Sequence, residues 1–420
     1  MKRVLPRRSL SSGSGSGQHY NKVQSFDVEK TPITSQLWKL RKDTKACNSS
    51  AEVDDTPKVP VDTTIKYTFS ENSLRDLYVD LKGQVLLGKL FEDFDSIAGN
   101  IAFAHCFNKS NQDVLSLVTA AVDYIKMSKN KTLSASIDYN LCGKVIWVGR
   151  SSLDVVVELH EVKTDISTSS TTGDIVMVPN DDTLVLSSVF TYVARNKSTK
   201  KSFEIMNKLN PQTSSEIEHF AAREMLALEK KALKGKAAEG FADAEVRQQV
   251  ARGRSLLDMP ALSMSRAVLM SATSLENSFV TQPQNVNTGG KVFGGLLIHR
   301  AYDLALATSY TFAGRYPQFK EVEEISFKHP VDVGDLVKLK SRVVYAKNLT
   351  EEALLQVEVT CQIIKLDLQQ SVVSNTFDFI FSVDLDPVRP NDGLKEVAPS
   401  TLEEAVVHLT AEQDFLGLRV

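Results

Sequence analysis

Apolar positions along the chain follow two rhythms, and the order of those rhythms occurs twice. From Thr64 onward, Ile65, Tyr67 and Phe69 alternate with polar neighbours, the period of a half-buried strand. Residues 85–107, VLLGKLFEDFDSIAGNIAFAHCF, are apolar on most sides at helical spacing, which predicts a long buried helix. Residues 112–128 read as a second, shorter helix. Strands are predicted over 133–139, 144–149, 153–161 and 183–195, with a Ser/Thr/Gly-rich insert at 164–181 that reads as a solvated loop. Residues 211–256 change character. Ser215 and Glu218 form a capping-box pattern, and Ile217, Phe220, Ala221 and Leu228 make one apolar stripe on a charged helix that ends near Lys234 and Gly235. The chain then restarts. A strand is predicted near 266–280, a glycine-rich turn at 287–295, a helix at 295–312, and strands near 322–328, 335–346, 352–366 and 371–385. A short helix follows from Thr401.

Both halves therefore run strand, glycine turn, apolar helix, several strands. The match is sharpest at the turn, where Gly83-Gln-Val85-Leu-Leu-Gly88 and Gly290-Lys-Val292-Phe-Gly294-Gly295 share Gly-x-Val-x-x-Gly at identical spacing. A repeat of this size means two similar domains rather than a solenoid, whose units are about 20–50 residues long. One long helix with an antiparallel sheet is an α+β layer architecture. Two such units can join edge strands into one sheet, which hides otherwise exposed edges.

Composition narrows the class. The chain has 420 residues, 42% apolar and 24% charged, enough for two or three domains with real cores. A net charge of −3 is against a nucleic-acid binder. The charge is uneven: Lys2, Arg3, Arg7, Arg8 and Lys22 precede the first acid, Asp27. This basic, serine-rich leader, residues 1–26, matches a mitochondrial transit peptide and predicts a matrix location. Residues 27–60 lack periodicity and read as an extended arm. The four cysteines, Cys47, Cys106, Cys142 and Cys361, are scattered, which fits a reducing compartment. No run is long and apolar enough for a transmembrane helix.

Glycine at a helix start costs stability, so Gly294 and Gly295 point to something that approaches the backbone closely. The unpaired N–H groups there suit a phosphate or a developing oxyanion. A turn glycine followed by a packing glycine, with no ligand, accounts equally well for the spacing. Gly83 to Lys89 matches the phosphate-loop pattern G-x-x-x-x-G-K, but Leu90 stands where magnesium needs Ser or Thr. The seven histidines show no zinc-binding spacing, so no metal is expected, and no G-x-S-x-G marks a serine esterase.

The stretch NVNTGGKVFGGLLIHRAYDLA, residues 285–305, resembles the signature of hotdog-fold acyl-coenzyme A thioesterases. Their turn runs Asn-x-x-Gly-x-x-x-Gly-Gly into the central helix, as Asn287 to Gly295 does here. The two-copy layout, the GKLFEDFDS stretch and the basic leader look most like the mitochondrial acyl-CoA thioesterase 9 type. The resemblance covers about residues 60–390. It implies a tandem hotdog fold, each unit a curved antiparallel sheet around a central helix. The units would span 61–210 and 261–390, joined by a linker at 211–260, with a tail at 391–420.

The resemblance also implies hydrolysis of fatty acyl-CoA to free fatty acid and coenzyme A, with no cofactor. It further suggests a homo-oligomer, a trimer of double hotdogs. An acid on one unit's helix activates water or attacks the thioester itself, and an asparagine of the other unit orients the carbonyl or the water. These positions fall on Asp95 and Asn287. Helix-start amides at Gly88, Gly294 and Gly295 would stabilise the oxyanion. The second composite position pairs Asp80 with Tyr302, or with Asp303 one residue on, and departs from the pattern. One working site per chain is the expectation. Read alone, Glu92, Asp93 and Asp95 could equally be a solvated acidic face, with Glu92 and Asp95 sharing one side. His299 reads more readily as packed than as a ligand. The other reading is a hotdog pair that binds acyl-CoA without cleaving it.

Overall fold

The computed structural model describes residues 30–47, 56–70, 72–108, 111, 114–129, 131–162, 181–233, 241–260, 267–287, 290–385 and 393–417. The leader read over 1–26, and all but the last residue of the insert at 164–181, lie outside them. The first half comprises α1 (Pro32–Cys47), β1 (Thr63–Tyr67), α2 (Asn72–Tyr78), α3 (Leu87–Cys106), β2 (Leu115–Met127), β3 (Tyr139–Val148), β4 (Ser152–Glu161) and β5 (Leu184–Asn196). Two helices follow, α4 (Ser214–Leu233) and α5 (Asp243–Asp258). The second half has β6 (Ala267–Leu269), β7 (Leu275–Val280), α6 (Gly294–Ala313), β8 (Gln318–Val322), β9 (Ile325–Ser326), β10 (Leu336–Asn348), β11 (Glu352–Lys365), β12 (Gln370–Asp384), β13 (Glu396–Ala398) and α7 (Leu402–Gly417).

One 11-stranded sheet runs through both halves in the order β1-β3-β4-β5-β2-β8-β12-β11-β10-β7, with β9 also paired to β2. Read from its two ends inward, the order is the same: a short edge strand, three long strands in sequence, then a junction strand. The halves meet where β2 pairs antiparallel with β8, Ile125 opposite Val322, and with β9, Val122 opposite Ile325. Each half thus covers the other's open edge, as edge protection demands. The two long helices pack against each other and against this sheet. Of the 20 residues of α3, 17 are buried, Leu90, Phe91, Phe94 and Ile97 completely.

Four readings of the sequence are corrected. Residues 112–128 form strand β2, not a helix. Register shifts at Thr119/Ala121 and Val122/Ile125 break the period-two alternation, so the apolar spacing mimics a helix. The arm at 27–60 is not wholly extended, because Pro32–Cys47 form α1. Its signals were local: Thr31 caps the helix through Oγ1 to the Thr34 amide (3.1 Å), Pro32 opens it, and Ile33 and Leu37, four apart, are buried. The strand read over 133–139 is a loop that reaches β3 only at Tyr139. The connector's stripe is also split: Phe220 packs on the core, while Ile217 and Leu228 are exposed. What anchors α4 is polar. Arg223 bridges Asp154 (2.7 Å) and Asp123 (2.5 Å), and Lys230 reaches Glu324 (3.2 Å).

Candidate active site

Among the described residues the two glycine turns close in the same way. Val79 bridges Val85, and Val286 bridges Val292. The Asp80 and Asn287 amides bond Gln84 O (2.9 Å) and Lys291 O (2.7 Å), and the Gly83 and Gly290 amides bond back to Asp80 O (3.0 Å) and Asn287 O (3.1 Å). Both side-chain oxygens close the loop, Asp80 Oδ1 on the Gln84 amide (2.8 Å) and Asn287 Oδ1 on the Lys291 amide (3.2 Å). Gly83 and Gly290 have φ of +79° and +78°, a region that favours glycine. Lys89 Nζ bonds Leu77 O (2.5 Å), tying the apparent phosphate loop to its own preceding helix.

Each turn delivers a helix start, and there the helices meet. Glu92 Oε1 and His299 Nδ1, residues 207 apart in sequence, are 2.7 Å apart in space. The same 207-residue step relates Gly83 to Gly290, Gly88 to Gly295 and Asp95 to Tyr302, so Glu92 and His299 are equivalent positions meeting on a pseudo-two-fold axis. A Cβ at Gly88 would lie 2.0 Å from the His299 ring, and one at Gly295 would lie 2.9 Å from Glu92 Cα. These glycines are what lets the helices cross. Gly88 is therefore filled by His299, away from Asp95. His299 also faces Asp303 (3.4 Å), whose side chain is half exposed.

The three acids of α3 are all buried, and none forms a solvated face. Glu92 takes His299. Asp93 accepts from Tyr67 OH (2.8 Å), Tyr78 OH (2.5 Å), Thr34 Oγ1 (2.8 Å), the Thr34 amide (3.1 Å) and Thr31 Oγ1. Burial pushes its carboxyl up to about 6 despite these donors. Asp93 thereby fastens α1 to α3.

Asp95, 3% exposed, reaches into the second half. Its Oδ2 accepts the Gly295 amide at 2.7 Å. Its Oδ1 accepts Tyr192 OH (3.0 Å) from β5 and Thr119 Oγ1 (3.1 Å) from β2. Burial holds the carboxyl above the ordinary carboxylate range, outweighing those donors and the charge of Arg41 on α1. Arg41 itself bonds Asn100 Oδ1 (2.6 Å) and Ser96 O (3.2 Å). Burial also pushes the Tyr192 hydroxyl well above its ordinary value, so it stays protonated and donates. A Cβ at Gly294 would crowd Asp95 Oδ2 at 3.2 Å and the Phe327 ring at 3.3 Å.

The structure thus joins Asp95 of one repeat to Gly294 and Gly295 of the other. Asn287 shapes the turn that brings those glycines in. Asp80 does the same for Gly88, and Asp303 stands apart. Sequence reasoning missed Thr119, Tyr192 and Arg41. At the position equivalent to Asp95, Tyr302 sits among Phe91, Phe319, Phe379 and Phe381, with ring centroids 5.2–6.1 Å away.

A buried carboxylate held by a helix-start amide and two hydroxyls is equipped for acyl-transfer hydrolysis. Comparison with known proteins agrees. The chain is 36% identical to acyl-coenzyme A thioesterase 2, chloroplastic, of Humulus lupulus, over 89% of this chain and 86% of that protein. It is 37% identical to the mitochondrial acyl-coenzyme A thioesterase 4 of the same plant, over 89% and 71%. It is 30% identical to the mitochondrial acyl-coenzyme A thioesterase 9 of Homo sapiens, over 82% and 74%. No protein-family model matches. The chain belongs to the acyl-coenzyme A thioesterase family, the family that Asn287–Gly295 resembles.

Proposed function

We propose that the chain hydrolyses fatty acyl-CoA to free fatty acid and coenzyme A at Asp95, as a tandem hotdog in which each repeat supplies part of the site. The observation that carries this reading is the Asp95–Gly295 bond between repeats. Water adds to the thioester carbon while Asp95 takes its proton. Tyr192 and Thr119 fix the carboxylate, and its raised affinity for a proton makes it a stronger base than an exposed carboxylate. The oxygen that becomes negative faces the start of α6. Gly295 commits its amide to Asp95, so the Gly294 amide is assigned to the oxyanion. The carbon–sulfur bond then breaks, and the leaving thiolate takes the proton from Asp95. Asn287 is a positioning residue, holding the turn in place.

Three donors pin the carboxylate, which favours a base over a nucleophile that must swing onto the carbonyl. Thiol release from acetyl-CoA, octanoyl-CoA and palmitoyl-CoA tests the activity. Single turnover in ¹⁸O-water tests the role: label should enter the fatty acid and leave Asp95 unlabelled. Label in Asp95 would make it the nucleophile, and binding without thiol release at any chain length would favour the non-hydrolytic reading. We place the protein in the mitochondrial matrix, which the basic leader supports. We also propose further assembly, to a trimer of double units. The exposed Ile217, Met225 and Leu228 of α4 support a contact between copies, measurable by sedimentation velocity.

A further inference from the structure

The position equivalent to the Asp95 site is not solid protein. A cavity of about 530 Å³ opens there, lined by Gly83, Gln84, Leu87, Leu133, Tyr302 and Phe319 among others. That volume is in the range of small-molecule sites, about 300–1,000 Å³. The cavity combines the first-repeat turn, which closes as the turn before α6 does, with a mixed wall in which Leu87, Leu133 and Phe319 stand beside Thr132, Ser134 and Gln318. Lys131 and Lys320 also line it, paired with Glu161 (2.7 Å) and Glu352 (3.5 Å). Tyr302 is 5% exposed, and its hydroxyl has no hydrogen-bond partner among the described residues. The ring is buried while the hydroxyl meets the cavity, where it stands as a donor for a ligand's acceptor.

We propose that this cavity is a second acyl-CoA site that binds without cleaving, with the Tyr302 hydroxyl donating to the thioester carbonyl. Tyr302 occupies the place of the base. Burial raises its hydroxyl above the ordinary phenol value, so it donates and takes no proton from water. The carbonyl is polarised, no nucleophile forms beside it, and the thioester persists. Each chain then holds two acyl-CoA molecules and hydrolyses one. The ligand class rests on the proposed activity at Asp95.

The test is equilibrium binding of S-(2-oxoalkyl)-CoA, which keeps a carbonyl but resists hydrolysis, to the full chain. Wild type should bind two equivalents. Tyr302→Phe should weaken one of them about tenfold or more. Gln84→Trp, which fills the cavity mouth from an exposed position, should leave one equivalent and keep kcat within about twofold. One equivalent in wild type, or two unchanged in Gln84→Trp, overturns the second site. Loss of thiol release in wild type would instead overturn the reading of Asp95, so the two failures are distinguishable.

Discussion

The turn before α3 and the turn before α6 close with the same backbone and Asx hydrogen bonds, yet the helices they start differ in burial. Of the 20 residues in each, 17 are buried in α3 and 10 in α6. The difference comes from α1, which lies on α3 and has no counterpart on α6 among the described residues. Asp93 anchors α1, and α1 brings Arg41 near Asp95. On α6 the matching positions are a cation and an aromatic: Arg300 follows His299 where Asp93 follows Glu92, and Tyr302 replaces Asp95. The two halves share the backbone device and differ in the side chains. One half holds the charged, enclosed position, and the other an aromatic one with a cavity.

Substituting the acid breaks this comparison most sharply. Asp95→Asn keeps the shape of the carboxylate but removes the base. Steady-state thiol release should fall by about 10³-fold or more, with the protein folded by circular dichroism. Asp303→Asn, on the other helix, should retain activity within about twofold. If Asp303→Asn abolishes turnover and Asp95→Asn does not, the assignment of the working half is reversed.

The anchor of α1 comes next. Asp93→Ala leaves two tyrosine hydroxyls and two threonines without their acceptor in a dry core. Chemical denaturation should show a loss of about 3 kcal/mol or more. The pH dependence has a definite sign. A carboxyl raised to about 6 in the fold binds protons more tightly there than in the unfolded chain. Its contribution is therefore most favourable at acid pH and is lost as pH rises through that value. Asp93→Asn should flatten this slope between about pH 4 and 6. An unchanged slope would show that Asp93 does not titrate there.

How far the site could be read from sequence follows the same division. The glycine turn, the repeat and Asp95 are local patterns with fixed spacing, and they were legible. Tyr192 and Thr119 were not. Tyr192 is 97 residues from Asp95, and strand alternation gives its face but not its neighbour. Thr119 lies in the strand whose bulges disguised it as helix. Asp93 looked like part of a charge run because burial depends on α1, which supplies two threonines from some 60 positions upstream.

Tyr192→Phe is the smallest change and separates base from scaffold. It removes one of the two hydroxyls on Asp95 Oδ1 and leaves the ring in place. That donor stabilises the charged carboxylate, so its loss raises the Asp95 pKa further. The acid limb of the pH profile of kcat/KM should move to higher pH. Above the shifted limb, where the carboxylate regains its charge, the loss in kcat should be about tenfold or less. A purely structural role would lower activity equally at every pH. Thr119→Val should shift the limb in the same direction, because Thr119 donates to the same oxygen. Tyr302→Phe, which removes the hydroxyl at the position equivalent to Asp95, should leave the limb where it is. A limb that moves with Tyr302 and stays with Tyr192 would place the titrating base in the other half.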